Sequence, residues 1–167
     1  INTPFTSSVG RLFDGVASLL DLRQRESFEG QAAMALEFSI DGLQIPDFYQ
    51  FQYTKNDSIL EIDSRGIFQG IIQDLQNDLP KNFIAAKFHN TLVEIIFDIY
   101  LHTLKLGFNS RKNIVLAGGC FQNKYLLEQT IQKLESSGAN IYYPQKFPPN
   151  DGAIALGQVM VVTGQAI

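Results

Sequence analysis

The sequence predicts an α/β fold with at least partly parallel strand pairing. Apolar residues recur at helical spacing along most of the chain, and in the last third two short strand signals bracket a helix signal. With 45% apolar and 18% charged residues, the 167-residue chain has the composition of a folded globular domain. A domain of this length buries roughly 70% of the surface that its unfolded chain exposes.

The elements follow in order. Thr6, Ser7 and Ser8 form a capping run before Val9, Leu12, Phe13, Val16, Leu19 and Leu20, which lie on one helical stripe. After a charged turn through Glu29 and Gly30, the alanine-rich stretch 31–38 has high helix propensity. Phe48, Phe51 and Tyr53 alternate with glutamines, and "SILEID" follows a turn at Lys55, Asn56 and Asp57, which suggests a β-hairpin. Residues 64–77 regain helical spacing and Pro80 stops them. The longest helical pattern runs from 81 to 107, with Gly107 as its expected C-cap.

The remainder reads strand, helix, strand, helix: "NIVLAGG", "NKYLLEQTIQKLES" ended by Gly138, "NIYYP", and an apolar helix after Gly152. Such alternation implies a parallel pair joined by a right-handed crossover, with ligands expected off the carboxyl ends of the strands. The Gly118-Gly119 turn and the Asn150-Asp151 turn both follow strands, so both are expected at that edge.

Composition narrows the function. A net charge of -4 and a pI near 5.1 do not suit a protein that neutralises many phosphates, so nucleic acid is not expected as a partner. The apolar stretch 154–162 is broken by Gly157 and Gln158 and falls short of the ~20 residues of a membrane span. One cysteine, Cys120, excludes an internal disulfide, and with no signal-peptide pattern a cytoplasmic location is expected. Ile1 is not an initiator methionine, and "INTPFTSS" reads as a loop entering a helix, so the chain is expected to be one domain, 1–167, of something longer.

Two turns attract chemical interest. The pair Gly118-Gly119 before a helix lets backbone N–H groups approach an anion, but it also suits a plain tight turn. Asn123 can cap the helix or hold a nucleotide. In "PPNDGAIALGQ", Asp151 can cap the following helix, or be a carboxylate stiffened by Pro148 and Pro149 for a metal. Asp14 lies on the first helix, three residues from Arg11, where it can pair, accept hydrogen bonds from ribose, or simply be solvated. His89 and His102 are thirteen apart, about 220° around one helix, and cannot chelate one ion together; His89 reads as a packed, hydrogen-bonded residue. Cys120 reads as a buried thiol, with activation by the nearby turn as the alternative.

Taken in order, "TSSVGRLFDGVASLLDL", "SFEGQAAMALE", "KFHNTLVEII", "GGCFQN" and "PPNDGAIALGQ" resemble the carboxy-terminal part of the HypF carbamoyltransferases of nickel-iron hydrogenase maturation. The resemblance covers nearly the whole chain and is weakest over 39–80. It implies one lobe of the actin, sugar kinase and heat-shock ATPase fold (the ASKHA fold), a mixed sheet flanked by helices. It further implies ATP-dependent transfer of a carbamoyl group from carbamoyl phosphate, through carbamoyl-adenylate, to the carboxy-terminal cysteine of HypE.

By the same resemblance Asp151 matches a metal ligand (for magnesium, iron or zinc), and Gly118, Gly119 and Asn123 match the nucleotide-binding turn. Asp14 and Gly30 match positions around the adenosine. Ala117 and Ala153 depart from the family pattern, and no His-x-x-x-His is present to complete the metal site. The upstream lobe and domains are then needed for transfer, and the fragment alone is expected to be inactive. The alternatives are a tRNA threonylcarbamoyladenosine-type transferase and a non-catalytic nucleotide- or partner-binding module.

Overall fold

The computed structural model of the chain describes residues 6–56, 59–108 and 112–164, with the side chains of residues 55 and 56 excepted. It is α/β, and it divides into two compact units, Ile1–Ile95 and Ile96–Ile167. The expected antiparallel and parallel pairings are both present, shared between two separate two-stranded sheets.

In the first unit, α1 (Val9–Leu19) and α2 (Gln31–Phe38) lie where the apolar spacing puts them. Phe13, Val16 and Ala17 of α1 and Ala32 and Leu36 of α2 are buried, while Val9 and Leu19, at the ends of the stripe, are partly exposed. Ser8 is the N-cap of α1, but its side chain makes no capping bond; Thr6 Oγ1 instead accepts from Ser8 N–H at 3.1 Å. The hairpin forms as β1 (Gln52–Asn56) and β2 (Ile59–Asp63), registered Gln52 to Asp63. Its expected turn falls partly on Asp57, outside the described residues. Phe48 to Phe51 precede the strand instead of belonging to it, and Tyr49 rather than its neighbours is buried.

The helix α3 (Arg65–Gln76) follows, then α4 (Lys81–Lys105), through which the boundary between the units passes. The first half of α4 is buried on more than one side, at Ile84, Ala85, Ala86, Phe88, His89 and Thr91. Alanines at 85 and 86 permit this, because they leave room for neighbours to approach the helix closely. Phe13 meets Phe88 edge-to-face with centroids 5.3 Å apart, a geometry worth about 1 kcal/mol beyond the area buried. His89 packs as expected. It is fully buried against Phe13 and Phe88, its Nδ1 is 2.7 Å from Ala85 O, and burial lowers its pKa to about 4 against the smaller opposing effect of that bond.

In the second unit, α4 ends at the expected glycine: Gly107 N–H donates to Leu104 O and Phe108 N–H to Thr103 O. Strand β3 (Asn113–Val115) then pairs in parallel with β4 (Asn140–Tyr142), in the register Asn113 to Asn140, with α5 (Lys124–Ser136) between them. Tyr100, Leu116 and Leu134 form the buried centre of this unit, with Ile114, Phe121, Ile131 and Ile141 packed around them. The last helix, α6 (Ile154–Thr163), is apolar yet exposed at Ile154, Val159, Val161 and Val162. Among the described residues no helix is long and apolar enough to cross a membrane.

Candidate functional site

The two turns singled out from the sequence meet. Leu116 N–H donates to Tyr142 O at 2.8 Å, carrying the parallel ladder one step beyond β3. The chain then turns, and Gly118 N–H donates to Pro149 O at 2.7 Å. That bond ties the glycine turn after β3 to the proline turn after β4. Gly118 has φ 107° and ψ 155°, a region open essentially to glycine alone, and a side chain there would meet nothing within 4 Å. Conformation, not crowding, selects glycine here. Gly119 is different: it opens a short 3₁₀ turn, Gly119–Gln122, and a Cβ on it would make ordinary contact with Asn150 Cβ at 3.8 Å.

Asn123 takes the capping role. Its Oδ1 accepts from Leu126 N–H at 2.8 Å, at a residue only 8% exposed. The capping role suggested for Asp151 is overturned: Ala153 holds the N-cap position of α6 with no side-chain cap bond, and Asn150 Oδ1 accepts from Gly152 N–H at 3.0 Å at the start of the 3₁₀ turn Asp151–Ala153. The signal for this was present, because an asparagine two residues before a glycine is a common side-chain-to-backbone turn. Its consequence matters more than the cap itself: Asp151 is exposed, and its carboxylate has no hydrogen bond or ion pair among the described residues. Pro148 closes over this loop, with its Cγ 3.4 Å from where a Cβ on Gly152 would stand.

Cys120 is half-buried beside the glycine pair, and burial pushes its thiol up, opposing activation. No group of three or more His, Cys, Asp or Glu able to hold a metal occurs among the described residues.

Asp14 and Gly30 belong to the first unit. Arg11 pairs with Asp14 at 2.9 Å, as the spacing suggested. The pKa of Asp14 is nonetheless raised, first by burial and then by the negative charge of Glu26, with Arg11 acting in the opposite direction. Gly30 is the N-cap of α2 at φ 80°. Having no side chain, it leaves the cap to Glu26, whose Oε1 accepts from Ala32 N–H at 2.9 Å. Sequence reasoning missed Glu26, because it lies four residues before the N-cap position and outside the usual capping spacing. It links the electrostatics of Asp14 to the start of α2.

The family comparison is direct: residues 1–158 match the family described as the carbamoyltransferase, Kae1-like domain, second subdomain. The chain belongs to the HypF carbamoyltransferase family. It is 40% identical over 157 residues to carbamoyltransferase HypF of Synechocystis, a match covering 94% of this chain and 19% of that protein. A crystal structure of full-length HypF in the phosphate- and nucleotide-bound form matches with a TM-score of 0.87 at 41% identity, over 98% of this chain and 21% of that one. A tRNA N6-adenosine threonylcarbamoyltransferase of Rickettsia bellii is 30% identical over 86% of this chain and 43% of its own length. The chain thus spans about a fifth of the length of the HypF relatives it matches.

Proposed function

We propose that the chain is the second lobe of a HypF carbamoyltransferase domain and supplies half of a nucleotide and metal site. The observation that carries this is the Gly118 N–H to Pro149 O bond, which puts a glycine turn with a capped helix behind it next to a loop bearing an unpaired carboxylate. On this reading the backbone of Gly118 and Gly119, at the approach to α5, receives nucleotide phosphate. Asn123 holds that helix start in place. Asp151 supplies one carboxylate to a divalent cation, magnesium, iron or zinc, whose charge offsets that of the phosphates. In the first unit, burial and the charge of Glu26 raise the pKa of Asp14, a group that gains from a hydrogen-bond donor such as a ribose hydroxyl.

The reaction proposed for the whole protein is ATP-dependent transfer of carbamoyl from carbamoyl phosphate, through carbamoyl-adenylate, to the terminal cysteine of HypE in the cytoplasm. The preceding lobe completes the metal site. Two findings support this over a tRNA substrate: the 40% identity to a HypF exceeds the 30% identity to the tRNA enzyme, and the chain is acidic. Titration of the intact two-lobed protein with ATP and magnesium tests it. Asp151→Ala is expected to weaken magnesium-dependent ATP binding tenfold or more and to abolish transfer. Unchanged binding and transfer in that variant would remove Asp151 from the site.

A further inference from the structure

The first unit carries a cleft of about 620 Å³ that involves none of Asp14, Gly30, Gly118, Gly119, Asn123 or Asp151. One wall is a single face of α3, from Arg65 through Gln69 and Gln73 to Asp74, and the other is the extended stretch from Phe48 to Gln52. The floor is rigid. Tyr49 O–H donates to Asp74 Oδ2 at 2.8 Å, Lys87 Nζ donates to the same oxygen at 2.8 Å, and the ammonium lies 4.4 Å from the Tyr49 ring centre. Gly70 lets the ring sit there, since a Cβ on it would stand 2.5 Å from Tyr49 Cδ1.

The charges of the cleft are already spent. Lys87 is paired with Asp74, and Arg65 grips Asp63 through Nε and Nη2 at 2.6–2.9 Å. A phosphate or carboxylate would meet each cation beside a carboxylate, so the cleft offers it no net positive charge. The groups left over are the side-chain amides of Gln50, Gln52, Gln69 and Gln73, which have no hydrogen-bond partner among the described residues. The main chain of Phe48 and of Gln50 likewise makes no hydrogen bond there, whereas Tyr49 N–H between them donates to Thr91 Oγ1. Each free carboxamide offers one acceptor and two donors, the complement of a peptide group.

Spacing selects the ligand. Arg65 and Asp74 are about 13 Å apart along the helix axis, the length of roughly four residues of extended chain. Gln69 and Gln73 are about 6 Å apart along the same axis, close to the two-residue repeat of an extended strand. We infer that this cleft binds a short, uncharged, extended peptide segment of a partner polypeptide, with Gln69 and Gln73 bonding alternate peptide groups. A floor formed in advance lowers the ordering cost of such binding.

The test is nuclear magnetic resonance titration of the isotopically labelled 167-residue chain with the blocked tetrapeptide acetyl-Ser-Ala-Ser-Ala-amide, and separately with inorganic phosphate. The peptide is expected to shift the side-chain amides of Gln69 and Gln73 and the main-chain amides of Phe48 and Gln50, and phosphate to leave them in place. The double variant Gln69→Ala, Gln73→Ala replaces exposed helix residues with the best helix former, so it keeps the fold. It is expected to weaken the peptide at least tenfold, while Gln76→Ala, elsewhere on α3, leaves it unchanged. Absence of peptide-induced shifts, equal affinity in the double variant, or a larger response to phosphate would each overturn the inference.

Discussion

Replacing Gly118 with alanine isolates the backbone geometry that joins the two turns. At φ 107° and ψ 155° an alanine is strained by roughly 1–3 kcal/mol, and no steric contact adds to this because nothing lies within 4 Å of the new Cβ. Gly119→Ala is the matched control. Its Cβ meets only Asn150 Cβ at 3.8 Å, so its effect is within about 0.5 kcal/mol and is stabilising if the unfolded chain loses freedom. The two variants therefore differ by roughly 0.5–3.5 kcal/mol although they are adjacent and chemically identical. Native-state hydrogen exchange of the residue 118 amide reads this locally, because that N–H is the donor to Pro149 O. Global melting is a poorer probe, since the chain has two compact units that need not unfold together. Faster exchange in Gly118→Ala, with the Gly119→Ala amide near wild type, is expected. Equal protection in both variants would refute the claim that conformation selects the glycine, and with it the strained link between the turns.

Other consequences are as definite. Below pH 6.5 the unfolded chain protonates His89 while the folded chain does not until about pH 4, so stability falls over that window as pH drops; the contribution reaches about 3 kcal/mol and is absent above it. Denaturant titrations of wild type and His89→Gln across the window measure it, and parallel pH slopes would contradict it. Asn123→Ala removes the Leu126 N–H acceptor and is expected to cost about 1 kcal/mol, or roughly 4–8 °C in the melt of the unit that holds α5. Gly70→Ala forces the Tyr49 ring off its seat, costing about 1–3 kcal/mol and altering the near-ultraviolet circular dichroism of the tyrosines. Asp151→Ala, by contrast, removes an exposed and unpaired carboxylate, so folding stability is expected to stay within about 0.5 kcal/mol, a result that thermal melts can check.

Much of the fold was legible because its elements are specified locally. The bounds of α2 agree with the stretch 31–38 read from the sequence, and the parallel pairing of β3 and β4 follows from a strand, helix, strand spacing that a short loop cannot close otherwise. The hairpin start was less legible. Phe48 and Phe51 alternate with polar residues as a strand does, yet the ladder begins only at Gln52, because Tyr49 turns inward to Asp74 and its N–H goes to Thr91. Those partners lie 25 and 42 residues away, beyond any local window.

By itself the sequence determined the helices, the two pairs of strands, the glycine and proline turns, and the family motifs in their order, since periodicity, breakers and motif wording are properties of short stretches. Only the tertiary structure decided what the turns do. It brought Gly118 against Pro149, gave the cap to Asn150 and so left Asp151 unpaired, and closed Tyr49, Asp74 and Lys87 into the floor of a cleft. The physical reason is that a hydrogen bond between distant residues depends on where the backbone returns in space, and a polar side chain keeps no role until that bond is either made or left open.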